Sequence, residues 1–150
     1  MKRVTIFLTV AIMIMALGCE RATKKTDSTV KNDSLVSAET FEILDVQTFR
    51  EKLASFTYIK SAEELMYLYY NYDLEAEGNQ KLSINTIDFG DDIYEVTLIH
   101  EGLPDDSVYA LKIVMTAKRT GSTWMINEIK RNWKCQKGRG HQNWGTELCL

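Results

Sequence analysis

The densest group of reactive side chains in this sequence lies at its C-terminal end. Cys135, His141 and Cys149 share one polar segment, with thirteen residues between the two cysteines. Two thiols and an imidazole can act as zinc ligands with a fourth position open. The cysteines are not close pairs, however, so the spacing matches no zinc motif. The same segment contains Gly138-Arg139-Gly140-His141, with Trp144 just beyond. Two glycines let a backbone turn sharply or approach a partner closely. Arg139, His141 and Trp144 therefore form a candidate contact patch for an anion or a partner. The alternative is internal use, with Arg139 paired to a strand carboxylate and His141 bonded to backbone.

Two further groups can be singled out. His100 falls at the end of an expected strand beside Glu101, with Asp105 and Asp106 a few residues on. A histidine next to a carboxylate can serve as a general base. A hairpin end is also the ordinary place for solvated charges. Tyr67, Tyr69, Tyr70 and Tyr72 form a tyrosine cluster. At helical spacing Tyr69 and Tyr72 join the core stripe, while Tyr67 and Tyr70 lie partly out. A partly exposed tyrosine pair suits protein or glycan contact, or forms the rim of a core. The sequence has no nucleophile-elbow serine, no phosphate-cradling glycine loop and no paired-carboxylate motif. No catalytic residue, metal or cofactor is assigned.

The N-terminus sets the compartment. Lys2-Arg3 precede an uncharged run from Val4 to Leu17, then Gly18-Cys19. A basic start, an apolar run and a small residue before a break make an export signal. The run is about 14 residues, short of the about 20 that span a membrane. Ala16-Leu17-Gly18-Cys19 resembles the lipobox of bacterial lipoproteins, with Ala16 where leucine is most common. The resemblance implies cleavage before Cys19 and diacylglycerol on its sulfur. The other reading is an ordinary secretory signal with an incidental cysteine. Each buried CH₂ of an acyl chain contributes roughly 0.8 kcal/mol, so two or three chains anchor stably. Glu20, rather than Asp, follows the cysteine, which favours the outer membrane of a cell envelope that has one.

With Cys19 lipidated, Cys135 and Cys149 remain. An even remainder in an exported protein points to a disulfide. Closing a loop of this size stabilises by about 3 kcal/mol in the chain-entropy model. The bond would pin a tail too polar to hold itself down.

Removing residues 1–18 takes away Lys2 and Arg3 and leaves 16 basic and 21 acidic residues, net −5. Such a domain lacks the basic footprint that nucleic acid requires. Residues 19–38 are rich in Lys, Thr, Ser and Asp and read as the lipidated N-terminus and a flexible spacer. Residues 39–150 are enough for one modest core.

The elements that position the candidate residues follow from periodicity. Residues 41–56 read either as a loose helix or as a short strand at Phe41–Val46 before a helix. Ser61-Ala62-Glu63-Glu64 is a capping box. Leu65, Leu68, Tyr69 and Tyr72 then mark a helix face that stops at Glu77-Gly78-Asn79. From Leu82 the pattern alternates. Strands are expected at Leu82–Ile87, Ile93–His100, Val108–Ala117 and Trp124–Trp133, with Trp124, Ile126 and Glu128 opposite Met125, Asn127 and Ile129. The fold class is α+β, with one or more N-terminal helices packed on an antiparallel meander of about four strands.

The segments Ser61–Leu65, Leu103–Val108 and Gly121–Trp124, with Cys135…Gly138-Arg139-Gly140-His141…Cys149, resemble small uncharacterised exported bacterial lipoproteins with a similar cysteine-closed end. The helix-then-meander order is similar to cystatin-like and nuclear-transport-factor-like folds, a likeness that says little about function. The cystatin inhibitory hairpin is absent, and the family offers no catalytic residues to transfer. The expected function is a non-enzymatic, membrane-tethered lipoprotein that contacts an envelope protein or glycan. The alternative is a small-molecule-binding or weakly hydrolytic cone, with a pocket between helix and sheet lined by His100 or a tyrosine.

Overall fold

The computed structural model describes residues 39–72 and 79–150. The signal segment, Cys19, the spacer and the expected helix stop at Glu77-Gly78 lie outside the described residues.

The elements run β1 (Glu42–Ile43), α1 (Gln47–Leu53), α2 (Ala62–Tyr69), β2 (Lys81–Gly90), β3 (Ile93–Glu101), β4 (Val108–Thr120) and β5 (Thr123–Cys135). The strand-then-helix reading of residues 41–56 is therefore the one adopted. All five strands form one antiparallel sheet in the order β1-β5-β4-β3-β2. Strands β2 to β5 are the expected meander, and β1 adds a two-residue fifth strand beside β5.

Helix α2 starts where its cap chemistry dictates. The Glu64 amide donates to Ser61 Oγ at 3.3 Å, and the Glu64 carboxylate accepts from the Lys60 amide at 2.7 Å. The carboxylate thus reaches one residue further back than in the usual capping box. The helix ends at Tyr69, because Tyr70 leaves helical geometry with φ −102° and ψ 84°. Its buried face is Ala62, Leu65 and Met66. Met66 takes the buried place that the sequence pattern gave to Leu68, which is only partly buried.

The two short helices cover one face of the sheet. That face carries Val96, Leu98 and His100 of β3, Ile113 and Met115 of β4, and Ile126 and Ile129 of β5. Strand β5 corrects the expected alternation. A bulge shifts its register between Thr116 and Ala117, which pair with Glu128 and Ile126. Asn127 is the extra residue, so Ile129 returns to the same face as Ile126, and both are fully buried. A bulge places two residues opposite one and resets which side chains point inward. Arg50 of α1 donates to the Ile126 carbonyl from Nε and Nη2, at 3.0 and 2.6 Å, fastening the helix at the bulge.

Gly102, after β3, has φ +71°, and a Cβ there would lie 2.6 Å from the Asn79 carbonyl oxygen. Glycine is therefore required where the two chain segments meet.

Leu65 is fully buried at the centre of the helix–sheet contact. Leu65→Ala is expected to lower stability by about 3 kcal/mol, from lost transfer energy plus an unfilled cavity. Urea unfolding followed by circular dichroism checks this; a loss below about 1 kcal/mol would show a loosely packed seam.

Candidate functional site

The C-terminal segment is bound to the outer edge of β5. Trp133 and Gly145 exchange both backbone hydrogen bonds, at 2.9 and 3.1 Å. The Cys135 amide donates to the His141 carbonyl at 2.9 Å, and the Leu150 amide donates to the Arg139 carbonyl at 2.7 Å. The Trp133 indole donates to the Glu147 carbonyl at 3.0 Å. Cys135 and Cys149 form the expected disulfide, with Cα atoms 5.5 Å apart. Gly140 has φ +144°, and a Cβ there would sit 2.7 Å from Cys135 Sγ. The second glycine of the Gly-Arg-Gly-His run therefore lets the loop wrap closely around the sulfur.

The three candidate residues of this tail take different roles. His141 is tied inward, with Nδ1 2.8 Å from the Asn143 carbonyl and Nε2 3.0 Å from the Glu147 carbonyl. That is the backbone use weighed from the sequence. Arg139 is exposed, and its guanidinium donates to the Leu150 carbonyl at 3.3 Å rather than to a strand carboxylate. Trp144 packs on the face of the sheet opposite the helices, its ring centroid 4.3 Å from Lys112 Nζ and 4.5 Å from Lys134 Nζ. Cation–π contacts of this kind gain strength where the cation is shielded from water. Lys112 is shielded, and its ammonium also pairs with Glu39 at 2.7 Å. Asn132 donates to the Thr40 carbonyl at 3.0 Å. The start of the described domain and its end are thus fastened to the same patch of β4 and β5.

His100 differs from both sequence readings. It is fully buried rather than solvated, and its ring partners are not carboxylates. Its Nδ1 is 2.8 Å from the Tyr70 hydroxyl, and its Nε2 is 2.9 Å from Gln80 Oε1. The Tyr72 hydroxyl also donates to Gln80 Oε1. The consistent proton assignment has Nε2–H donating to Gln80 and Nδ1 accepting from Tyr70, which is a neutral imidazole. Burial holds the His100 pKa below its ordinary value. Burial, reinforced by the neighbouring Tyr72, raises the Tyr70 pKa. Asp105, one of the acids near His100 in sequence, instead accepts from the Val108 and Ser107 amides, and these bonds lower its pKa. Both ring nitrogens of His100 are thus satisfied by Tyr70 and Gln80, which holds the residue after α2 against β3.

The tyrosines separate accordingly. Tyr67 is 56% exposed on α2, whereas Tyr70 is half-buried with its hydroxyl committed to His100. They do not form a shared exposed pair. No local signal marks the Tyr70–His100 or Lys112–Glu39 contacts, because each joins distant parts of the chain.

Two surface clefts flank these features. One, of about 430 Å³, lies between the α1–α2 connection at Phe56–Ile59 and the β4–β5 turn at Ser122–Met125. The other, of about 500 Å³, lies beside the disulfide and is lined by Leu103, Leu111, Arg131, Trp133 and Leu148. The Arg131 guanidinium within it pairs with Glu42 at 2.7 Å. Neither cleft opens between α2 and the sheet, where Leu65, Met66, Val96 and Leu98 are fully buried.

Two outcomes follow for this region. Because His100 has a lowered pKa when folded, the unfolded chain binds more protons once the pH falls below about 6.5. Its stabilising effect is full above that value and is lost as the pH falls toward the folded-state pKa. Thermal melts between about pH 8 and 5 should show this slope, and His100→Gln should flatten it. An unchanged slope in the variant would assign the effect elsewhere. Cys149→Ser is expected to cost about 3 kcal/mol and to speed amide exchange at Trp133 and Cys135; unaltered exchange would mean that the hydrogen bonds alone hold the tail.

No protein-family model matches this chain, and no curated protein or solved structure gives a significant match.

Proposed function

We propose that this protein is a lipid-tethered lipoprotein of the cell envelope whose folded domain contacts a partner, without catalysing a reaction. The observation that carries the reading is Ala16-Leu17-Gly18-Cys19 following a short apolar run with a basic start. The tether places acyl chains in the membrane and leaves a net-negative domain outside it. The Cys135–Cys149 bond supports exposure to an oxidising compartment. The likeness of the Cys…Gly-Arg-Gly-His…Cys segment to exported bacterial lipoproteins agrees with it, and Glu20 after the cysteine favours the outer membrane of an envelope that has one.

Partner contact is favoured over a ligand held inside the domain. The helix–sheet seam is filled, and the buried histidine is satisfied by side chains rather than facing a cavity. The outward groups are Arg139 on a loop fixed at several points and Tyr67 on α2. A pre-ordered surface loses less entropy on binding than a mobile one. The partner class is an envelope protein or glycan.

Cys19→Ser should release the protein from membranes and abolish fatty-acid labelling. Retained label or unchanged membrane retention would refute the tether. A photo-crosslinking residue at Arg139 or Tyr67, in intact cells, should give one discrete adduct that is absent when the residue is at Asn85. Equal adducts from all three positions, or none from any, would refute a specific contact at these groups.

A further inference from the structure

The sulfur pair at the C-terminus is joined in this structure, yet the side chains around it have a second use once that bond is opened. Cys135 Sγ, a ring nitrogen of His141 and Cys149 Sγ lie within 4.8 Å of one another. The carboxylate of Glu147 reaches within 3.7 Å of His141 Nε2. The sequence already puts these three residues in one segment, although their spacing matches no zinc motif. The loop wrapped around Gly140 brings them together.

We propose that reduction of the Cys135–Cys149 disulfide by a dithiol creates a binding site for one zinc-class divalent metal ion, with the two thiolates and His141 as ligands and the fourth position open to water. The dithiol is oxidised to its own disulfide as the protein bond becomes two thiols. The metal then displaces one proton from each thiol, and a ring nitrogen of His141 binds in its neutral form. Zn–S distances are about 2.3 Å, so two thiolates on a tetrahedral ion stand roughly 3.8 Å apart. A small rotation of the two cysteine side chains supplies that separation.

The ligands stay near one another without the sulfur bond. His141 is held to Cys135 by the bond between the Cys135 amide and the His141 carbonyl. The segment carrying Cys149 is held by Trp133 Nε1 on the Glu147 carbonyl and by the Leu150 amide on the Arg139 carbonyl. When one His141 nitrogen takes the metal, the other keeps its carbonyl partner, the usual outer-shell support of a metal-bound imidazole. The donor set of two sulfurs and one imidazole nitrogen suits zinc and disfavours magnesium or calcium. Oxidised, the same sulfurs have no thiolate to offer. Metal and disulfide are therefore exclusive states of one loop.

The test uses the full chain carrying Cys19→Ser, so that the only thiols are those at 135 and 149. After dithiol reduction and removal of the reductant without air, cobalt(II) should bind one per chain with a thiolate-to-metal charge-transfer band. Zinc should bleach that band, and the oxidised protein should show none. His141→Gln should weaken cobalt binding by more than the roughly 10–100-fold typical of losing an outer-shell partner. Cys149→Ser should remove the tight site. Because either variant could disturb the tail, amide exchange of residues 135–150 in the unsubstituted loop gives an independent reading. Reduction should raise it and zinc should lower it again. No charge-transfer band in the reduced chain, equal binding by the oxidised chain, or zinc without effect on exchange would overturn the site. None of these results bears on the lipid tether, which is tested separately at Cys19.

Discussion

The outer edge of β5 is the constraint around which the rest of this domain is arranged. A strand edge left open presents unpaired amides and carbonyls and invites the wrong partner. Here the edge is closed piecemeal. β1 pairs at Lys130 and Arg131, Leu44 donates to Ile129, Gly145 pairs with Trp133, and the His141 carbonyl accepts from Cys135. The chain uses its first and last described segments for this purpose. The disulfide, the Gly140 turn and the Trp144 contact all serve the second of them. The segment that resembled a recognition motif in the sequence is thus also the piece that completes the sheet.

The two faces of the sheet are stabilised by different physics. One buries aliphatic side chains beneath two short helices, and most of its stability comes from removing that surface from water. Arg50, donating to the Ile126 carbonyl, ties α1 to the strand beside the bulge there. Among the described residues the other face has no helix. It is sealed by Trp144 over Lys112 and Lys134, and by Glu39 against Lys112. A buried ammonium is costly unless it is paired, and here a carboxylate and an aromatic face share that role. The opposite ends of the described domain meet at this lysine.

Both histidines illustrate a polar group absorbed by structure. His100 has two side-chain partners and no access to solvent, and His141 has two carbonyl partners. His141 nonetheless lies beside two sulfurs and a carboxylate. Its chemistry therefore depends on the redox state of the loop, whereas the environment of His100 is set by the core. Arg139 and Tyr67, the exposed groups proposed for partner contact, belong to elements whose own geometry is already fixed by neighbours.

Much of this was legible in one dimension. The Ser61 cap, the existence of a helix with Leu65 on its apolar face, the strand pattern through Ile84, Val96 and Ile113, and the pairing of the last two cysteines each rest on neighbours in sequence or on a simple count. Their physical causes are local hydrogen bonds, helical and strand periodicity, and sulfur chemistry. Tertiary structure alone decided which face Ile129 occupies, because one extra residue at Asn127 flips every side chain after it. It also decided the partners of His100 and Lys112, 30 residues from Tyr70 and 73 from Glu39. Contacts of that range depend on strand register and on where the helix stops. Those are settled by the joint packing of the whole domain, and no short stretch of sequence contains them.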